Sequence, residues 1–113
     1  MTTIPGFLKK NLDVNNRHFL LIVLKFENGN FVSVSEGVEK LGSLVVSLST
    51  GPTPVTTTVI PARTDSLFLK LTAERISTST KGIAIVSAFI EKELKPETAK
   101  VIMSNITEMI QNV

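Results

Sequence analysis

The chain reads "HFLLIVLKFENGNFVSVSE" from His18 to Glu36, two β-rich runs on either side of Asn28-Gly29. In the second run Val32 and Val34 alternate with Ser33 and Ser35. Asn-Gly between such runs is a strong hairpin signal, because a tight primed turn asks both central residues for positive φ. The first run, by contrast, is apolar on both of its faces. An antiparallel strand that meets water on one side normally alternates, so this strand expects cover on both.

Working towards the C-terminus, "GSLVVSLS" places Leu44, Val46 and Leu48 on one face, and "VTTTVI" at 55–60 is rich in β-branched residues. These four runs predict an antiparallel meander. Between the last two, Ser49 to Pro54 holds Gly51, Pro52 and Pro54 and no charge. Proline cannot donate a ladder hydrogen bond, so this segment reads as a strand-to-strand loop rather than a linker between domains.

"TDSLFLKLTAERISTST", from Thr64 to Thr80, fits two periods. Leu67, Leu69, Leu71 and Ala73 alternate like a strand, while Phe68, Leu69, Thr72, Ala73 and Ile76 share a helical stripe. Thr64 or Asp65 as N-cap, Lys70 and Glu74 at i, i+4, and Gly82 as a stop favour the helix. "GIAIVSAFIE" is then a strand apolar on both faces, with Ile83, Ile85 and Phe89 on one and Ala84, Val86 and Ile90 on the other. Pro96 suits a first helical position. Behind it Ala99, Ile102, Met103, Ile106, Met109, Ile110 and Val113 keep a 3.6-residue period opposite Lys100, Ser104, Glu108 and Gln111.

Towards the N-terminus the pattern weakens. Pro5-Gly6 and Asn15-Asn16 interrupt it, with a short strand possible over Phe7 to Val14. The whole chain, residues 1–113, therefore reads as one α+β domain with residues 1–17 poorly determined. It expects a mostly antiparallel sheet of five or six strands, a meander followed by α-β-α, with two helices on one face.

Chemistry is harder to find. Composition is globular, with 42% hydrophobic residues, 19% charged and a net charge of +2. Acids and bases are interspersed and there is no Trp or Tyr, which argues against a nucleic-acid binder. There is no cysteine, so disulfides and thiolate chemistry are excluded together, as suits a reducing compartment. The start lacks a basic stretch leading into an apolar one, and the longest apolar run, Phe19 to Leu24, is too short to span a membrane. The expected location is the cytoplasm, with the nucleus also open, and neither membrane nor nucleic acid as partner.

His18 is the sole histidine, and no nucleophile motif accompanies it. Glu91 and Glu93 fit a solvated strand end better than a metal site. Glycines 6, 29, 37, 42, 51 and 82 match no phosphate loop. The expectation is a non-enzyme without metal or cofactor. What remains is apolar surplus: two helices cover one sheet face, and a second apolar face needs a partner's sheet or the N-terminal residues. Leu20, Ile22, Leu24, Ala84, Val86 and Ala88 are the candidates for that dimer interface, with the inward and outward faces interchangeable at this stage.

Several strings carry a family resemblance. Lys40-Leu41-Gly42-Ser43-Leu44-Val45 leads a turn into a strand, Thr56-Thr57 sits in the fourth strand, and Asp65 opens the first helix. Over roughly residues 18–113 the chain resembles the proteasome assembly chaperone 3 family, and "TDSLFL" is also similar to the sister chaperone 4 family. The resemblance implies an antiparallel sheet with helices on one face, a heterodimer through the sheet with a sister subunit, a homodimer being open for the isolated chain, and a helix over residues 65–80. It implies an assembly chaperone that holds proteasome α-subunits while the α-ring of the core particle forms. In better-known members the segment between the third and fourth strands is longer and acidic. Here Thr50, Gly51, Pro52, Thr53 and Pro54, the candidate α-subunit contact, are uncharged. The alternative from another class is a small homodimeric α+β adaptor unrelated to the proteasome.

Overall fold

The computed structural model describes residues 6–111. Six strands and two helices follow in the order β1 (Phe7–Val14), β2 (Arg17–Phe26), β3 (Gly29–Glu36), β4 (Ser43–Leu48), β5 (Val55–Ile60), α1 (Ser66–Thr80), β6 (Ile83–Phe89) and α2 (Pro96–Gln111). This is the expected α+β class, and Phe7–Val14 is a strand. Val113 of the final apolar stripe lies outside the described residues.

One mixed sheet forms with strand order β1-β2-β3-β6-β4-β5. Chain order alone does not reveal that β6 enters between β3 and β4. It runs parallel to β3 and antiparallel to β4, splitting the meander into two antiparallel halves. The crossover helix α1 makes the parallel pair reachable, since a parallel connection needs a long return path. β6 is thereby central in the strand order, with Ala84, Val86 and Ala88 in the core beneath the helices.

The two tight hairpins exchange their expected chemistry. Phe26 pairs with Gly29, so β2 and β3 turn on Glu27-Asn28, and neither Asn28 nor Gly29 has positive φ. The left-handed pair is Asn15-Asn16, at φ 52° and 62°, between β1 and β2. Asn tolerates that region, so these residues make the turn rather than merely breaking the pattern. Gly29 is required for a different reason: a Cβ there would overlap the Ile83 carbonyl oxygen on β6.

Both helices lie on one side. α1 covers β4 and β6, and α2 covers β2 and β1. Between helices and sheet sit Phe19, Leu21, Val23, Val32, Val34, Val45, Ala84, Val86, Leu69, Ile102 and Ile106, all essentially without solvent contact. Each large aliphatic side chain in that layer contributes about 1.5–3 kcal/mol through burial. Hydroxyls also fasten α1 to the sheet. Ser47 Oγ lies 2.9 Å from Ser77 Oγ and 3.1 Å from Thr56 Oγ1, and Thr56 donates to Glu74 Oε2 at 2.9 Å. Glu74 thus serves Thr56 on β5. Asp65 adopts a left-handed backbone and makes no side-chain cap; its carboxylate accepts from the Leu94 amide at 3.1 and 3.2 Å.

Candidate functional site

Side-chain alternation places Leu20, Ile22, Leu24 and Phe26 of β2 on the sheet face away from the helices. The ladders extend this row across the sheet: Leu24 opposite Phe31, Phe31 beside Ile85, and Ile85 opposite Val46. Ile83, Leu48 and Val55 continue it towards the β5 edge. Neither α1 nor α2 covers these residues, and Phe26 is 60% exposed. An apolar face of this breadth, rimmed by polar residues, is the usual mark of a docking surface.

Half of the expected interface is therefore corrected. Leu20, Ile22 and Leu24 lie on the open face. Ala84, Val86 and Ala88 point the other way, packed in the core beneath the helices. In parallel register with β3, Val86 sits beside Val32, a core residue, whereas Ile85 sits beside Phe31. The open-face residues of β6 are thus Ile83, Ile85, Ser87 and Phe89.

The two ends of this face differ. At one end the connection at 37–42 folds back onto the sheet. Ser35 Oγ donates to the Lys40 carbonyl at 3.0 Å and accepts from the Lys40 amide at 3.2 Å, while the Gly42 amide donates to Ser87 Oγ at 3.2 Å. Lys40 Nζ lies 4.8 Å from the centre of the Phe89 ring, and Glu39 pairs with Lys9. Sequence patterning singled out neither Ser35 nor Ser87 as an anchor. Ser35 alternates with Val32 and Val34, and Ser87 is the lone polar residue of an apolar run, which was the available signal.

At the other end Phe26, Gly29, Phe31, Ile83 and Ile85 line an apolar hollow of about 190 Å³. The loop 49–54 leaves the sheet on this side, tied by the Ser49 amide to the Gly82 carbonyl at 3.1 Å. Thr50, Gly51, Pro52 and Thr53 are exposed and Pro54 is half-buried.

Beyond the face, Arg17 and Glu36 form a bidentate pair, Nε to Oε2 at 2.8 Å and Nη2 to Oε1 at 2.7 Å. Arg17 also donates to the Lys92 and Glu93 carbonyls, and Glu36 accepts from the Glu91 amide at 3.0 Å. The cluster fixes the chain between β6 and α2. Hydrogen bonding from Arg17 holds the Glu36 carboxyl below its usual range, against burial, which pushes the other way. His18 is exposed, with Nδ1 2.7 Å from Oδ1 of its cross-strand neighbour Asp13. Among the described residues no three metal-ligating side chains cluster, and no helix is long and apolar enough to cross a membrane.

No family model matches the chain, and no curated protein matches it. Among solved structures, the fold is similar to a chain in the crystal structure of a chaperone complex for yeast 20S proteasome assembly. The TM-score is 0.66 over 93% of this chain and 97% of that one, at 12% identity. At that identity the likeness is one of fold.

Proposed function

We propose that this chain is a non-enzymatic assembly chaperone of the proteasome assembly chaperone 3 or 4 type. In this reading it pairs through its open sheet face with a similar sister subunit. The pair then holds neighbouring α-subunits while the core-particle α-ring forms. The observation that carries the reading is the apolar face that neither α1 nor α2 covers, on a sheet whose other side holds the core. The fold likeness to a chain of the yeast proteasome-assembly chaperone complex and the local family-like strings support it.

The mechanism is templating. A composite surface that binds one α-subunit raises the effective concentration of its neighbour, so the second contact becomes intramolecular. Residues Thr50, Gly51, Pro52, Thr53 and Pro54 project beside the open face and contact the α-subunit through backbone, hydroxyls and proline rings. The two prolines restrict the shapes the loop samples, lowering the cost of ordering it. Without charge in the loop, electrostatic steering comes from elsewhere on the pair. Release follows when an incoming β-subunit competes for the same surface. The compartment in this reading is the cytoplasm, with the nucleus as a second one.

Gentle affinity purification of the tagged chain from its own cells tests the proposal. Recovery of α-subunits with one partner of similar size is expected. A dimer recovered without any proteasome subunit would refute the assignment and favour a homodimeric adaptor. Within the assignment, Ile85→Glu should lose the sister and retain the fold.

A further inference from the structure

The sheet has two unequal edges. β1 carries Lys9, Lys10 and Asp13, the kind of charge that deters a strand from adding to an edge. Among the described residues β5 has β4 as its single neighbour, it carries no charge, and the uncharged stretch around it runs from Leu41 through Ala62. Val55, Thr57, Thr58 and Val59 are exposed, and Pro54 and Pro61 bound the strand. The ladder to β4 passes over Val59, because Thr58 pairs with Val45 and Ile60 with Leu44.

The sequence of that edge, Val55-Thr56-Thr57-Thr58-Val59, reads the same in both directions about Thr57. This symmetry selects an occupant. When two identical strands pair antiparallel about a two-fold axis normal to the sheet, opposite residues point to the same face, so the axis passes at a residue. Centred on Thr57, Thr57 faces its own copy, Thr56 faces Thr58 and Val55 faces Val59. Aliphatic then meets aliphatic and hydroxyl meets hydroxyl, the favourable cross-strand combinations, with no like charges opposed. We propose that β5 pairs antiparallel with β5 of a second copy of this chain, centred on Thr57, so that two six-stranded sheets become continuous. The backbone edge of β5 is distinct from the open face, which Val55 borders, and the inference does not rest on the assignment made above.

The chain contains no cysteine, so single thiols report the register directly. Opposite residues of an antiparallel pair have Cα atoms about 4.5–5.5 Å apart, inside the disulfide range. Thr57→Cys should therefore yield a covalent dimer under mild oxidation. Val55→Cys should yield none, because its copies stand four residues apart, roughly 13 Å. Combining Val55→Cys with Val59→Cys should restore the cross-link. The experiment is run in wild type and in an Ile85→Glu background, with circular dichroism confirming the fold and wild type alone deciding if that variant unfolds. A cross-link that persists when the face is blocked supports the edge pairing. A folded Thr57→Cys chain that stays monomeric overturns it, as does a Val55→Cys chain that cross-links equally well. Capture of a different protein by Thr57→Cys, in place of its own copy, also overturns it.

Discussion

Glu36 is the residue on which the most structure converges, because its carboxylate serves Arg17 and the Glu91 amide together. Its carboxyl is depressed in the folded chain, so the pair stabilises fully above the unfolded carboxylate range, about pH 4.3. That contribution is lost as pH falls through the lower, folded value. Glu36→Gln should cost about 1–3 kcal/mol near neutrality and flatten the acid side of the stability profile, as read by thermal melts from pH 3 to 7. The glycines divide in a similarly local way. Gly51 has open space around it and no positive φ, whereas a Cβ at Gly29 would meet the backbone of β6. Gly51→Ala should leave the chain as stable or raise stability by about 0.4–1 kcal/mol. Gly29→Ala should lower it by about 1–3 kcal/mol or more, since backbone cannot step aside as a side chain can. Denaturant midpoints measure both, and equal behaviour of the two variants would contradict the close β3–β6 contact.

At the scale of elements, α2 was legible because its apolar residues repeat at 3.6 and every described member of the stripe packs inward or at its margin. α1 was ambiguous for a physical reason. Of the alternating leucines only Leu69 is buried, while Leu67 and Leu71 face solvent, so the strand-like pattern mixed core with surface. β2 and β6 announced their two apolar faces, but not which face the helices would take. That choice depends on where β6 enters the sheet, a long-range fact that a 180° alternation cannot encode. The loop 37–42 was invisible for the same reason, since its anchors Ser35 and Ser87 come from strands brought together by the crossover. The face assignment gives a sharp contrast between neighbours. Val86→Glu puts a charge beneath the helices with no partner and should unfold the chain, at a cost of several kcal/mol. Ile85→Glu points to the open side and should melt within a few degrees of wild type. Reversal of that order in circular dichroism melts would invert the two faces.

The whole molecule is a two-layer slab of about 37 × 35 × 22 Å, the short dimension being sheet plus helices. Its broad outline, about 37 × 35 Å, is of the scale that a standard interface of roughly 800 Å² per partner needs. The charged groups identified there, Lys9, Asp13, Glu39 and Lys40, belong to β1 and the loop at 37–42. The centre, from Ile22 and Leu24 through Phe31 and Ile85 to Val46, is aliphatic or aromatic. Pairing through such a centre is driven by apolar burial, which does not decay with the Debye length as exposed charge pairs do. For the pairing proposed above, affinity should therefore change little between low salt and 0.5 M sodium chloride, where the screening length is only about 4 Å. Binding should show a negative heat-capacity change, the robust mark of apolar burial. Titration calorimetry at several temperatures and two salt concentrations tests both, with the purified sister subunit as ligand. A steep loss of affinity with salt would move the interface from the aliphatic centre to the charged β1 rim, where Lys9 and Glu39 already meet.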